Sequence, residues 1–580
     1  MTDAATEPVQ RAETTVSGVD EGHPACCALQ RSASWLLALT GLAVFVFAVV
    51  AISSGGRIDV IDGQTRYQVA RSIVEHGDSV VRDADTWFAV FPGRNGDRYS
   101  NYRFPHTLVA AASILVADAT GPTREVRRQF FFSLSGAVLC GLIAALYADW
   151  FRRAGHGRLA SILWAAGGIF CTPLWYYGTT AYDDVLGTLV VLTAIYAAAR
   201  LANWEKVRGR VADESSDPAA NKAKKSFYRG AALVGLLMGL AFNCKPPLVL
   251  LMPAVIALLW RSNLASNERR QRARVVCFYA ALGVIVYELY DLWKFPPSTW
   301  AGVAEARGEY VALWPGNPLA GLLSLLISPG VGALWYWPAI VLALYGLTIS
   351  YRRQRQFSLT VGLSSAAFLV FIGTIRFFSG EPSWGPRYLT PVFGLLWLFV
   401  PVSVACVQRW KAATLLAVSL AVQVLGLTLE PMRFFTGDNV VAAEAFLTNP
   451  WTYFRFDRSQ LLARPSQLWD VLTYDGPPAT SFTPAKAPTL PLIIYVKTDK
   501  RFEARDYQVL SSLRPWWVTY RGLPLDQRPI DLRRALEFLL LAGGAGLVLT
   551  SLSFWPFRRV RPGWSSETVT PSGWTSQVAR

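Results

Sequence analysis

Residues 35–53 read WLLALTGLAVFVFAVVAIS, with no charged side chain between Trp35 and Ser53. Bilayer hydrocarbon is about 30 Å thick and needs about 20 apolar helical residues to cross it, so this stretch predicts a spanning helix. Working outward, similar runs recur at 129–150, 159–177, 184–201, 275–293, 335–350, 357–375, 388–406, 412–429 and 534–555. Two shorter runs, 231–244 and 247–260, flank Lys245-Pro246. The pattern predicts an all-α polytopic membrane protein with 10–12 spans, ten if the short pair is re-entrant.

Composition agrees. Hydrophobic residues make up 52% of the 580 and charged residues 17%, against about 25% charged in soluble domains; mean hydropathy is +0.28. A net charge of +16 would suggest nucleic-acid binding in a soluble protein. Here the charges flank apolar runs and no basic run is interleaved with aromatics, so no nucleic-acid partner is expected. Residues 1–33 are polar, and the first apolar run is too long for a signal-peptide core, so it reads as a retained anchor. The seven cysteines, at 26, 27, 140, 171, 244, 277 and 406, avoid the long polar regions and suggest no disulfide framework. Cys26-Cys27 read as unmodified thiols, with acylation as the alternative.

Sidedness follows from basic residues, which concentrate in cytoplasmic loops near helix ends. With the N-terminus inside, the inside loops are 151–158, 202–229, 261–274, 351–356 and 407–411, and each is rich in Lys and Arg. The tail after Phe557 opens with Arg558-Arg559. This predicts an integral protein of the plasma (inner) membrane with both termini cytoplasmic. Three long polar regions, 54–128, 294–334 and 431–532, then lie outside. Arg124, Arg127 and Arg128 are an exception, basic residues before the second span on the outside. Fourteen helical residues rise about 21 Å, so a hairpin of the two short runs would recess Lys245 below the outer surface. A lysine there needs a polar cavity or an anion.

In the first outside region Tyr67, Ala70, Ile73 and Val74 form a helical stripe, which predicts an amphipathic helix on the outer membrane surface. Asp62 is placed to cap it and Gly77 to end it. A capping carboxylate is also a fixed one, so the general-base reading of Asp62 stays open beside the capping one. A second stretch, Pro105 to Val116, is expected at the interface.

At this point the chain resembles the GT-C membrane glycosyltransferases, which include protein O-mannosyltransferases, aminoarabinose transferases and the RgtA/B/C/D-like group. The resemblance covers roughly residues 35–430. It is carried by Asp62 with Tyr67 and Ala70-Arg71, YSNY at 99–102, YDD at 182–184, GLLMGLAFNCKPPLVLLMP at 235–253, SPGVGALWYWP at 328–338 and WGPRYLTP at 384–391. Several such families have two adjacent acidic residues at the first site; here Asp59 and Asp62 stand three apart.

The resemblance implies a GT-C-like helical bundle that transfers a sugar on the outer face from a polyprenyl-phosphate-sugar donor to a glycan, lipid or protein acceptor. By that analogy Asp62, or else Asp59, deprotonates the acceptor. Lys245 and Arg387 hold the donor phosphate. Asp183 or Asp184 orients the acceptor or holds a divalent cation, and Tyr102 and Tyr388 line the cavity. No cofactor is certain, and a divalent cation is left open. His106 and Glu381 are weaker candidates. Read from the residues alone, Asp183 and Asp184 are helix caps, Arg387 a headgroup anchor and Lys245 a snorkelling lysine.

The absence of a Gly-rich phosphate loop agrees with a lipid-linked donor. The expected divisions are a cytoplasmic tail at 1–33, the transmembrane region at 34–430, a small extracytoplasmic region at 431–532 with short apolar runs at Leu492–Val496 and Trp516–Tyr520, a last helix at 533–556 and a tail at 557–580. A secondary transporter or flippase is the alternative, and would place charges near the bilayer centre. A non-catalytic scaffold would need no Asp62 and Lys245 together. An enzyme should gather Asp62, Lys245 and Arg387 around one cavity.

Overall fold

The charge-free run of residues 35–53 forms the body of α1 (His23–Ser53). The computed structural model describes residues 23–84, 86, 88–208, 218–260, 266–299, 316–380, 383–430, 432–435, 449–473, 513–522 and 528–552. After α1 come α2 (Ile61–His76), α3 (Phe104–Ala119), α4 (Glu125–Ser133), α5 (Ser135–Arg153), α6 (Arg158–Phe170), α7 (Leu174–Gly178), α8 (Asp184–Arg208), α9 (Pro218–Cys244), α10 (Met252–Trp260) and α11 (Ser266–Lys294). Next are α12 (Pro318–Ile327), α13 (Ala333–Tyr336), α14 (Ile340–Arg353), α15 (Arg355–Gly373), α16 (Thr390–Trp397), α17 (Val400–Val404) and α18 (Arg409–Thr428). The chain closes with α19 (Met432–Phe435), α20 (Gln460–Thr473), α21 (Trp516–Thr519) and α22 (Leu532–Leu552). The protein is an all-α integral membrane bundle.

Among the described residues seven helices are long and apolar enough to cross a membrane: Ser32–Ser53, Glu125–Arg153, Asp184–Leu201, Arg270–Lys294, Arg355–Gly373, Arg409–Thr428 and Leu532–Leu552. Three runs expected as continuous spans are broken. The 159–177 run splits into α6 and α7 around Pro173, the 335–350 run into α13 and α14 around Pro338, and the 388–406 run into α16 and α17 before Pro401. A proline has no N–H for the carbonyl four residues back and its ring clashes there, so each break follows from one residue. The Lys245 hairpin also differs from expectation. Its first arm is the end of the 27-residue α9, a rise of about 40 Å, because the helix continues back through the basic segment. Its second arm opens as a 3₁₀ turn, Pro246–Leu251, before α10.

Helix ends sort by charge. Arg152 and Arg153 close α5, Arg158 opens α6, Arg352 and Arg353 close α14, and Arg355 and Arg409 open α15 and α18. The start of α8, the end of α9 and the end of α15 meet at the opposite end of the bundle. Trp35 Nε1 donates to Asp149 Oδ1 at 2.9 Å at the basic end of α1, and Trp175 Nε1 to Ser53 Oγ at 3.0 Å at the other.

The expected surface helix α2 is instead packed into protein. Thr65, Arg66, Tyr67, Val69, Ala70 and Ser72 are buried, and Tyr67 stacks on Phe132. Helix α3 keeps an apolar exposed face through Leu108, Leu115 and Val116. Gly77, with φ 73°, ends α2 as expected, but the N-cap is Val60 with no side-chain cap. Asp62 sits two positions past the N-cap, inside the first turn, and its carboxylate is taken by other partners described below. The basic exception is also explained. Arg128 donates to Asp118 through two nitrogens at 2.7–2.8 Å and also to Glu75, joining α4 to α3 and α2; its hydrogen bonds hold the Asp118 carboxyl below the usual carboxylate range.

Among the described residues one antiparallel hairpin interrupts the helices. Strands β1 (Val90–Pro92) and β2 (Arg98–Ser100) pair with Phe91 opposite Tyr99. Phe91, Tyr99 and Phe295 cluster beneath it, and Lys294 donates to the Ser100 carbonyl at 2.8 Å. The hairpin is thereby pinned to the end of α11, and Tyr102 follows it directly. In the region beyond α18, the described segments pack on the bundle. Ser459 donates to the Pro329 carbonyl at 2.6 Å and Tyr453 to Ser379 at 2.8 Å. Trp516–Tyr520 is helical. Leu492–Val496, Glu381 and the tails at 1–22 and 553–580 lie outside the described residues.

Candidate active site

Four separate elements deliver charged side chains to one cavity. Asp62 stands in the first turn of α2, near the positive end of the helix dipole. Arg66 is four residues on, hence on the same face. Asp183-Asp184 open α8. Lys245 follows the last residue of α9 in extended backbone, the conformation imposed on a residue before proline. Arg387 begins a 3₁₀ turn after Gly385, whose φ is +70°. A side chain on Gly385 would collide with the Tyr336 ring at 2.5 Å, so only glycine allows this turn to bring Arg387 inward.

The groups form a continuous ionic chain. Tyr102 OH donates to Asp62 Oδ1 at 2.6 Å, and Arg387 Nη2 to Asp62 Oδ2 at 3.1 Å. Arg387 Nε lies 3.4 Å from Asp184 Oδ2. Lys245 Nζ donates to Asp184 Oδ1 and lies 3.3 Å from Asp183 Oδ1. Arg66 Nη2 donates to Asp183 Oδ2 at 2.6 Å. Rings flank the cations: Arg387 lies 3.9 Å from the Tyr182 ring centre, Arg66 4.0 Å from Tyr102 and Lys245 4.8 Å from Tyr388, within the range of cation–π attraction. Three carboxylates, Asp62, Asp183 and Asp184, thus face three cations, Arg66, Lys245 and Arg387.

Burial would raise the Asp183 carboxyl, but the charges of Arg66 and Lys245 outweigh it and hold the group below the usual carboxylate range. Burial, aided by the Arg66 charge, pushes the His106 imidazole down to about 3. His106 is therefore neutral, and it packs against Phe132 at 5.4 Å outside the cavity lining.

The cavity encloses about 400 Å³, within the range of small-ligand sites. Asp62, Arg66, Tyr102, Asp183, Lys245, Arg387 and Tyr388 all reach its wall. The lining also has apolar side chains, among them Phe88, Phe368, Ile372, Ile375 and Phe377. Asp184 lies behind the lining and braces Lys245 and Arg387. Asp59 turns away, and its Oδ2 accepts from Arg514 Nη2 at 2.7 Å in a fully enclosed site. Arg387 and Lys245 project into the cavity, where neither an anchor nor a snorkelling side chain would point. Asp183 and Asp184 direct their carboxylates at cations, away from the α8 N–H groups. They do not fit as ligands of a divalent cation, because a metal between them would sit against Arg66, Lys245 and Arg387.

Two participants were missed in the sequence. Arg66 reads as a polar-face residue of a surface helix; its spacing of four from Asp62 was the available signal. Arg514 lies in a segment without a motif, and nothing in the sequence links it to residue 59.

No family model matches the chain, and no curated protein does. Among solved structures, it is similar to ArnT from Cupriavidus metallidurans bound to undecaprenyl phosphate, at 14% identity and a TM-score of 0.42, over 90% of this chain and 76% of that one. The apo state of the same ArnT gives 14% identity and a TM-score of 0.41 over the same shares.

Proposed function

We propose that this chain is a membrane glycosyltransferase of the GT-C kind, moving a sugar from a polyprenyl-phosphate donor to an acceptor hydroxyl at the outer face. The observation that carries the reading is the convergence of Asp62, Lys245 and Arg387, from three distant parts of the sequence, on one cavity whose lining also holds apolar side chains. That combination suits a ligand with an anionic head and a lipid chain. The cations stand at element ends at one end of the bundle, where a lipid phosphate would lie, and a transporter would carry them near the bilayer midplane.

In the proposed reaction the acceptor oxygen attacks the anomeric carbon. The bond from that carbon to the phosphate oxygen breaks, the acceptor proton passes to Asp62, and polyprenyl phosphate leaves with its charge held by Lys245 and Arg387. The balanced charges impose a condition. Both phosphate-binding cations already carry carboxylates, so an arriving phosphate must compete for them. Arg387 is the shared member: as it turns to the phosphate it loosens its hold on Asp62, whose Oδ2 is then free to accept from the acceptor hydroxyl. Donor loading thus prepares the base, and Tyr102 keeps Asp62 in place meanwhile.

The test is transfer from radiolabelled polyprenyl-phosphate sugars to acceptors in membranes carrying the protein. Wild type transfers label, and Asp62→Asn lowers the rate by about 10²–10⁴-fold with membrane abundance unchanged. Asn keeps the shape and loses the proton-accepting charge. Near-normal transfer by Asp62→Asn removes it as the base.

A further inference from the structure

Arg514 does not line the cavity, yet its guanidinium joins the two strips of backbone that carry the cavity carboxylates. It is fully buried. Nη2 donates to Asp59 Oδ2 at 2.7 Å, three residues before Asp62, and Nη1 donates to Thr179 Oγ1 at 2.8 Å, four residues before Asp183. Nη2 also reaches the Thr179 carbonyl at 3.3 Å. The strips touch directly as well, since a side chain on Gly63 would meet Ala181 Cβ at 2.8 Å. Displacement of one strip therefore moves the other.

The segment bearing Arg514 is anchored without this side chain. Its backbone N–H donates to the Thr428 carbonyl at 2.8 Å, Trp516 N to the Ser54 carbonyl at 2.9 Å, Trp516 Nε1 to the Ala51 carbonyl at 2.9 Å and Tyr520 OH to the Gly56 carbonyl at 2.9 Å. Holding the segment on the bundle does not require the guanidinium. A planar fork with two separate acceptors fixes their separation.

We propose that Arg514 is a positioning residue that sets the distance between Asp62 and the Asp183-Asp184 pair, and that Asp59 acts through Arg514 and does not touch substrate. The proposal rests on the reading of Asp62 as the base. A shift of about 1 Å in such a site can cost about 100-fold in rate, so the effect falls on turnover.

The experiment uses the full chain in lipid nanodiscs and the variants Arg514→Met, Asp59→Asn and their combination. Each single variant is expected to lower turnover at saturating donor by about 10–100-fold with donor KM within about threefold. The double variant is expected to be no slower than the slower single one, as for two residues acting as a unit. Multiplicative losses, or a change confined to KM, overturn the proposal. So does an Asp59→Asn variant at background while Arg514→Met stays near wild type, because Asp59 would then be a reacting group. A second measurement needs no reaction: nitroxide labels at the exposed positions His76 on α2 and Arg200 on α8, with accessible cysteines replaced by serine, report the separation of the two strips by pulsed electron resonance. Arg514→Met broadens or shifts that distance and Arg514→Lys does so less; an unchanged distribution overturns the proposal. Wild type with no transfer but with the expected label shift supports the positioning role and refutes the catalytic reading alone. Asp59→Asn, close to isosteric, supplies the same distances if Arg514→Met does not fold.

Discussion

Asp59 and Asp62 stand three residues apart, and their side chains end in two ion networks of opposite design. Asp62 joins a chain of three carboxylates and three cations along a cavity wall, where Asp62 and Lys245 retain 14% and 18% of their side-chain surface. Asp59 joins Arg514, Arg57 and Glu430 in a closed cluster, with side chains 0–11% exposed. Arg464 adds a third cation through the Glu430 carbonyl at 3.2 Å. In the first network the cations face space that a guest anion can enter, so partners can exchange. In the second, no member lines the cavity, and loss of one partner leaves another buried and uncompensated. The contrast assigns chemistry to the open network and geometry to the closed one.

The comparison presumes that both networks lie at the outer end of the bundle, and the largest effect that could break it is all-or-none. Reporters fused after residues 215 and 265 should be cytoplasmic, and those after 95, 310 and 480 outside. A reporter at 265 on the same side as one at 95 would put the cavity in the wrong compartment.

The next effect sharpens the open side. Arg387→Lys should reduce transfer by about 10²–10³-fold, as should Arg387→Ala, because a point charge cannot grip Asp62 or phosphate as the planar fork does. Thermal unfolding of Arg387→Lys should stay close to wild type. Donor titrations of both variants decide the matter, and a normal donor response in Arg387→Ala would remove it from the phosphate site.

The closed side should answer in the opposite currency of stability. Glu430→Gln leaves Arg57 and Arg514 short of a counter-charge and should cost about 3–5 kcal/mol, read as a lower unfolding midpoint in detergent. An unchanged midpoint would erase the distinction between the networks. The smallest expected effect is a control at the same end of the bundle. Arg128→Gln loses pairs to Glu75 and Asp118, which are about a quarter exposed, and should cost about 1 kcal/mol. A loss as large as that of Glu430→Gln would show that enclosure is not what sets the scale.

Much of the cavity was legible because its residues sit in local patterns with a physical meaning. A charge-free run as long as the bilayer dictates a spanning helix wherever the chain folds. Lys245-Pro246 at a helix end and Arg387 after Trp384-Gly385-Pro386 both mark places where the backbone must turn. A polar residue at such a place needs a partner, so each drew notice without any tertiary knowledge. Breaks at Pro173, Pro338 and Pro401 were also written in the sequence; hydropathy averaged over a window passes over a single missing N–H.

What the sequence alone determined is therefore the solvent of each segment: which runs belong in hydrocarbon, which end of each helix carries basic charge, and where a charged group stands at a membrane boundary. What only the tertiary structure decided is pairing. Asp62 could cap α2 or face a cavity, and Asp59 could be base or brace, because a carboxylate has no local preference between a helix N–H and a distant guanidinium. The choice depended on Arg387, 325 residues away, and on Arg514, 455 away. Charge interactions act through space and depend on separation and burial, neither of which is a property of sequence distance.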